Sequence, residues 1–97
     1  MSRDVRVFRT TGACNRAAAE YVAAAIGSAV AARGVCFLAL SGGATPEPVY
    51  RLLAEPPISG KIDWSCVRLF LVDERPVPPG DPQSNYGMIR AALISRI

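Results

Sequence analysis

The sequence predicts an α/β fold in which a parallel, Rossmann-like sheet is flanked by helices, in the order βαβαβα. Two short, strongly apolar runs, residues 35–40 and 67–72, have the length of strands and are bounded by turn residues. Segments with helical periodicity alternate with them, as expected when helical crossovers join parallel strands. At 97 residues, with 51% hydrophobic and 20% charged side chains, the chain has the size and composition of one globular domain.

The first strand is predicted over residues 5–8, where valine alternates with arginine in the pattern of a partly exposed edge strand. The first helix is predicted over residues 15–33, with Asn15 as its N-cap. Its apolar stripe follows helical spacing and is formed by Val22, Ile26, Ala29 and Val30. Gly34 stands where a left-handed C-cap glycine ends a helix.

The second strand is predicted over residues 35–40, an unbroken apolar run typical of a central strand buried on both faces of a parallel sheet. The loop of residues 41–45 connects this strand to a helix predicted over residues 46–54. Thr45 is predicted to cap that helix, and Pro46 fits its first position. An anion is favoured at such a helix start.

The third strand is predicted over residues 67–72, followed by the charged segment Asp73–Arg75 and a proline-rich loop over residues 76–82. Ser84 is predicted to be the N-cap of a last helix, whose apolar stripe contains Met88, Ala92 and Leu93. This amphipathic pattern has no stop signal, and three strands leave much sheet surface uncovered. We therefore expect residues 1–97 to be a single domain that is truncated at its C-terminal side.

Composition argues against several classes of partner. The net charge is +3, but the basic residues are spread along the chain, so no nucleic-acid partner is expected. The nearest approach to a basic, aromatic patch is formed by Arg3, Arg6, Phe8 and Arg9. No run approaches the roughly 20 apolar residues of a membrane span, and the amino terminus lacks a signal-peptide core.

The cysteines predict neither a metal site nor a disulfide framework. Cys14, Cys36 and Cys66 are odd in number and lack close-pair spacing. We expect them to be small core residues of a cytoplasmic protein. The chain also contains no histidine, which excludes catalytic groups of the Ser-His-Asp or Cys-His type within it.

Ligands of open parallel sheets bind beyond the carboxyl ends of the strands, and the loop of residues 41–45 and the segment of residues 73–75 both follow strands directly. The loop contains two glycines and two hydroxyls, which suit a phosphate. It has neither a Walker A lysine nor a dinucleotide fingerprint, so nucleotides are not indicated. Its spacing fits an ordinary strand-to-helix turn equally well. Taken alone, the charged residues 73–75 fit the solvent-exposed end of a strand better than a ligand-binding site.

Three segments in order resemble the amino-terminal part of 6-phosphogluconolactonases: LSGGATPEPVYRLLA, IDWSCVRLFLVDERPVPP and DPQSNYGMIRAAL. They lie within residues 38–93, where the resemblance is strong, and the preceding residues fit the family more loosely. The resemblance implies a cytoplasmic hydrolase that opens 6-phospho-D-glucono-1,5-lactone to 6-phosphogluconate in the pentose phosphate pathway. It implies no cofactor and a small-molecule sugar phosphate as the partner, and leaves the oligomeric state open.

The resemblance also implies site residues. Those expected to bind substrate are Ser41, Gly42, Gly43, Thr45, Glu74, Arg75, Ser84 and Asn85. Among them Arg75 is assigned to the anionic substrate, and Asp73 is assigned a supporting catalytic contact in the reacting region. Family members carry a Gly-His motif further along, whose histidine activates the attacking water. We therefore expect the main base outside this chain and negligible hydrolysis by the chain alone.

Two alternatives stay open at the level of sequence. Glucosamine-6-phosphate deaminases are similar in fold and share the glycine-rich loop, although they carry tyrosine at the position of Arg75, which favours the lactonases. The second alternative is a phosphosugar-binding module without catalysis. The reading frame beyond Ile97 would separate an enzyme from such a module.

Overall fold

A computed structural model describes residues 5–97. Its main elements are the helix α1 (Thr11–Arg33), the strand β1 (Cys36–Leu40), the helix α2 (Glu47–Leu53), the strand β2 (Val67–Leu71) and the helix α3 (Asn85–Ala92). The two strands pair in parallel, with Cys36 opposite Val67 and Leu40 opposite Leu71. Parallel pairing, with the helix α2 in the connection between the strands, confirms the predicted α/β class.

The three α-helices and one face of this two-stranded sheet share one hydrophobic core. The core they form with the sheet contains Ala19, Ala23, Ile26, Cys36, Leu40, Tyr50, Leu53, Ile58, Ile62, Val67, Ile89, Ala92 and Leu93. On the opposite face Phe37 is 65% exposed and Phe70 is 53% exposed. The prediction that residues 35–40 are buried on both faces is therefore wrong for the described chain, because no described element covers the face that carries Phe37.

The predicted first strand is also absent from the described residues. Residues 5–8 lie outside the sheet, and Val5 and Val7 are 85% and 90% exposed. Alternating valines and arginines suit an edge strand, but a strand forms only where a neighbouring strand accepts its backbone hydrogen bonds. Arg6 instead places its guanidinium over the ring of Phe8, 5.2 Å from the centroid. Arg3 of the basic, aromatic group lies outside the described residues.

The α1 helix begins four residues before its predicted start. Thr10 adopts an extended conformation, and its side chain accepts a hydrogen bond of 3.0 Å from the backbone N–H of Ala13. Asn15 lies inside the helix, so its prediction as the N-cap is wrong. The C-terminal prediction is confirmed, because Gly34 is left-handed with φ 79° and donates its N–H to the Val30 carbonyl at 2.7 Å.

The starts of α2 and α3 differ in how they are capped. Pro46 precedes α2, and no side chain caps this helix, so the predicted cap at Thr45 is wrong. Ser84 caps α3 as predicted, because its Oγ accepts the N–H of Gly87 at 3.0 Å. Since Thr45 is exposed and not used as a cap, its hydroxyl is available for another contact.

No helix in residues 5–97 is long and apolar enough to cross a membrane. The cysteines are all free, and Cys36 is buried in the core as expected. Cys14 is exposed on α1, so the expectation of a core role is wrong for that residue. The helix turns its alanines Ala19 and Ala23 toward the core, and Cys14 lies outside that core.

Candidate functional site

The parallel strands end side by side, and this rim carries the candidate site. Beyond the last paired residues, the N–H of Val72 donates to the carbonyl of Leu40 at 2.9 Å. The connection after β1, residues 41–45, is called the glycine loop here, and residues 73–75 after β2 are called the strand-exit segment. The structure places these two segments next to each other at one rim, as the sequence predicted.

The start of α3 is the third part of the rim. The Asn85 side-chain amide donates from Nδ2 to the backbone carbonyl of Asp73 and to its Oδ1, both at 3.2 Å. The backbone N–H of Asn85 donates to Glu74 Oε1 at 2.8 Å. All three sequence segments that carried the resemblance therefore meet at one place, although Gly42 in the first and Asn85 in the last are 43 positions apart in the chain.

Glu74 is bound entirely by protein donors. Its carboxylate accepts the backbone N–H groups of Tyr86, Arg75 and Asn85, each at 2.8 Å, and the Ser84 hydroxyl at 3.1 Å. These hydrogen bonds, with that from Tyr86 the largest contribution, lower the pKa of the Glu74 carboxyl to about 2. A carboxylate at the first turn of α3 also complements the helix dipole. Glu74 thus fastens α3 to the end of β2.

The two glycines of the loop serve different purposes. Gly43 has φ 102°, and a Cβ there would meet nothing nearer than Pro46 Cδ at 4.0 Å, so the space above it is open. Gly42 has no such freedom, because a Cβ would lie 2.7 Å from Asn85 Nδ2 and closer still to Cγ and Oδ1. The Asn85 amide therefore fills the place that a side chain on Gly42 would need.

The glycine loop carries unused hydrogen-bond donors. Within residues 5–97, no protein acceptor is hydrogen-bonded to the backbone N–H groups of residues 42–45. The loop is nevertheless anchored, because the buried Tyr50 donates its hydroxyl to the Ser41 carbonyl at 2.7 Å. An anchored loop with several free N–H groups can bind the oxygens of an anion without rearranging.

Arg75 lies exposed at the same rim. Its Nη1 donates to Gln83 Oε1 at 2.9 Å and to the Gln83 carbonyl at 3.3 Å. The backbone of Gln83 is in turn held by Asp81 Oδ1 at 2.8 Å. In the described chain, Nε and Nη2 of Arg75 have no protein acceptor, so one edge of the guanidinium is available for an anion.

Sequence patterns alone do not predict a role at the rim for Tyr50 or Gln83. A tyrosine on the buried face of a helix needs a partner for its hydroxyl, and this was the signal that Tyr50 offered. Gln83 offered no such signal, because a glutamine in a proline-rich loop is ordinary. Its contact with Arg75 depends on how that loop folds back toward the strand-exit segment.

The described residues contain no group of three or more His, Cys, Asp or Glu side chains that could hold a metal ion. The acidic side chains at the rim are instead used within the protein, by Asn85 in the case of Asp73 and by the start of α3 in the case of Glu74. The donors that the rim presents are N–H groups, hydroxyls and a guanidinium, and groups of this kind can bind anions.

Comparison with known proteins shows the family of this chain. The family of glucosamine-6-phosphate isomerases and 6-phosphogluconolactonase matches residues 9–97. The chain belongs to this family. The match covers all three segments of the rim, and the resemblance found in the sequence is confirmed.

Individual relatives agree with this assignment. The chain is 39% identical to the 6-phosphogluconolactonase of Rhizobium meliloti over 94 residues, which are 97% of this chain and 39% of the relative. It is 36% identical to that of Mycobacterium tuberculosis over 97 residues, which are 100% of this chain and 38% of the relative. The chain thus spans about two fifths of the length of these relatives.

Solved structures show the same fold. A 6-phosphogluconolactonase from Shewanella baltica superposes with a TM-score of 0.81 at 37% identity, over 90% of this chain and 36% of that protein. The 6-phosphogluconolactonase of Trypanosoma brucei gives a TM-score of 0.85 at 27% identity, over 99% of this chain and 36% of that protein. The α/β architecture of the chain is therefore that of a part of these enzymes.

Proposed function

We propose that this chain forms the sugar-phosphate-binding part of a 6-phosphogluconolactonase, which hydrolyses 6-phospho-D-glucono-1,5-lactone to 6-phosphogluconate. The observation that carries the proposal is the meeting of the glycine loop, the strand-exit segment and the start of α3 at one rim. The names of the relatives support the reaction. The place of the reaction is the pentose phosphate pathway in the cytoplasm, where the three free thiols would stay reduced.

In this proposal the glycine loop binds the phosphate group. The N–H groups of residues 42–45 donate to its oxygens, and the hydroxyls of Ser41 and Thr45 lie at the two ends of the same loop. The open space above Gly43 lets an oxygen approach the backbone closely. A phosphate carries up to two negative charges, so a cation nearby adds to the affinity.

Arg75 supplies that cation. Gln83 holds one nitrogen of its guanidinium, and the remaining donors can engage a phosphate or carboxylate as a pair. Asp73 is proposed to make a polar contact near the reacting carbon with the carboxylate oxygen that Asn85 does not engage. The water-activating base of the reaction is proposed to come from outside this chain, which has no histidine.

Calorimetric titration of the 97-residue chain with 6-phosphogluconate tests the binding part of the proposal. Unphosphorylated gluconate is the ligand control, and Arg68→Ala is the matched variant, because Arg68 lies at the other end of β2 and bonds to the Ser65 carbonyl. We expect binding of 6-phosphogluconate and little binding of gluconate. Arg75→Ala should weaken binding about tenfold or more, since a charged hydrogen bond contributes about 1.5 to 3 kcal/mol.

Arg68→Ala should leave the affinity within about twofold, because surface charges far from a ligand contribute little. Equal affinity of the wild type for gluconate and 6-phosphogluconate would contradict phosphate recognition. Equal losses in the two arginine variants would mean that Arg75 acts only through net charge. Tighter binding of glucosamine 6-phosphate than of 6-phosphogluconate would favour the deaminase side of the family.

A further inference from the structure

We propose that Asn85 is a positioning residue, which holds the glycine loop in a fixed relation to Asp73 and does not itself bind the substrate. This proposal rests on the sugar-phosphate site proposed above. It replaces the substrate contact that the family resemblance suggested for Asn85.

The donors of the Asn85 side chain are already used. An amide nitrogen offers two hydrogens, and Nδ2 directs them to the carbonyl and to Oδ1 of Asp73, both at 3.2 Å. Asn85 as a whole is only 6% exposed. A buried amide without a free donor is poorly placed to recognise a ligand, but it is well placed to fix the neighbouring Asp73.

The other side of the same amide faces the glycine loop. A side chain on Gly42 would overlap the Asn85 amide group, so the backbone of the loop passes directly against it. Such close contact is possible because Gly42 has no Cβ. The amide therefore touches both ligand-binding segments of the rim and sets the distance between them.

The backbone of Asn85 is fixed as well. Its N–H donates to Glu74 Oε1 at 2.8 Å, and Glu74 also binds the N–H of Tyr86 at 2.8 Å. Because Glu74 belongs to the strand-exit segment, the start of α3 cannot slide along the rim without breaking these bonds. Asn85 is thus held through both its backbone and its side chain, which is the arrangement expected of a residue that preorganises a site.

The test compares Asn85→Ala and Asn85→Asp with Ile89→Val in the 97-residue chain. Asn85→Asp keeps the size of the side chain but removes both donors, so it serves if the alanine variant does not fold. Ile89→Val is the matched control, because Ile89 is buried in the same helix one turn later and has no part in the rim. Three quantities are measured: the thermal midpoint, the ¹H–¹⁵N resonances of the glycine loop, and the affinity for 6-phosphogluconate.

We expect both Asn85 variants to shift the amide resonances of Gly42 and Gly43 and to weaken 6-phosphogluconate binding about tenfold or more, because misplaced binding groups lose much of their effect. Ile89→Val should lower the thermal midpoint and leave the loop resonances and the affinity nearly unchanged. Loop resonances that stay in place in both Asn85 variants would overturn the proposal. So would equal changes in affinity in the Asn85 variants and in Ile89→Val.

The two proposals can fail separately. If the wild-type chain does not bind 6-phosphogluconate, the proposed function fails, and the loop resonances alone decide the role of Asn85. If the wild type binds but the Asn85 variants bind equally well with shifted loop resonances, the sugar-phosphate site stands. In that case Asn85 holds the glycine loop, but this hold does not support ligand binding, and the proposed role of Asn85 in preorganising the site is refuted.

Discussion

The close contact between Gly42 and Asn85 makes a sharp prediction about stability. In Gly42→Ala the new methyl group would lie 2.7 Å from Asn85 Nδ2 and closer to two further atoms, whereas ordinary contact begins at 3.4 Å. The amide would have to retreat, yet it is held by Asp73 and by Glu74. Gly42 does not have a positive φ, so the backbone itself tolerates alanine and the collision alone is tested.

The expected cost of Gly42→Ala is about 1 to 3 kcal/mol of unfolding free energy, the range found when a well-packed site is overfilled. In a domain of this size each kcal/mol lowers the thermal midpoint by about 4 to 8 °C. Gly27→Ala is the matched control, because Gly27 lies in α1 with nothing within 4 Å of a new Cβ. There the same substitution should stabilise by about 0.5 to 1 kcal/mol, through better helix propensity.

Urea denaturation followed by circular dichroism measures both variants, with the slope of the transition checked for constancy. A double mutant adds the decisive comparison, because Asn85→Ala removes the atoms that the new methyl group would strike. In that background the cost of Gly42→Ala should fall to less than about 1 kcal/mol. The reasoning is refuted if Gly42→Ala is as harmless as Gly27→Ala, or if its cost is the same with and without Asn85.

Two further predictions concern the other parts of the rim. Two variants, Gly43→Ala and Gly34→Ala, place alanine at a positive φ with open space around it, so we expect similar losses of thermal midpoint. Only Gly43→Ala should also weaken 6-phosphogluconate binding in titration. Equal affinities in the two variants would remove the glycine loop from the binding site. The second prediction follows from the pKa of Glu74, which is about 2 in the folded chain and 4.5 in its unperturbed state. Because the folded pKa is depressed, the stabilisation is fully present above about pH 4.5 and is lost as pH falls toward 2. In a pH series of thermal midpoints, Glu74→Gln should be less stable than the wild type at neutral pH. Its thermal midpoint should also fall less steeply as the pH is lowered. Asp63, whose pKa is lowered mainly by the Ser65 hydroxyl, contributes to the pH dependence that remains. An unchanged acid slope would mean that Glu74 does not fasten α3.

The parts of the fold that were correctly predicted depend on neighbouring residues in the chain. Gly34 ends α1 because glycine readily adopts the left-handed conformation, and Ser84 caps α3 because its hydroxyl reaches an N–H three residues on. The placement of the glycine loop and the strand-exit segment at one rim also followed from the sequence, since parallel strands end at the same edge. The family likeness was carried by three short segments that occur in the expected order.

Tertiary contacts decided the rest. Thr10 and Asn15 are both good N-caps, and the start of α1 depends on where the extended chain enters the helix. Whether β1 is buried on one face or two depends on which elements cover the sheet, and no local pattern reports that. The resemblance predicts a substrate contact for Glu74, and only the fold shows that α3 lies against it and that both its carboxylate oxygens accept hydrogen bonds from the start of that helix. The pairing of Gly42 with Asn85 joins residues 43 positions apart, and a chain reveals such a contact only when packing has brought both segments to the same rim.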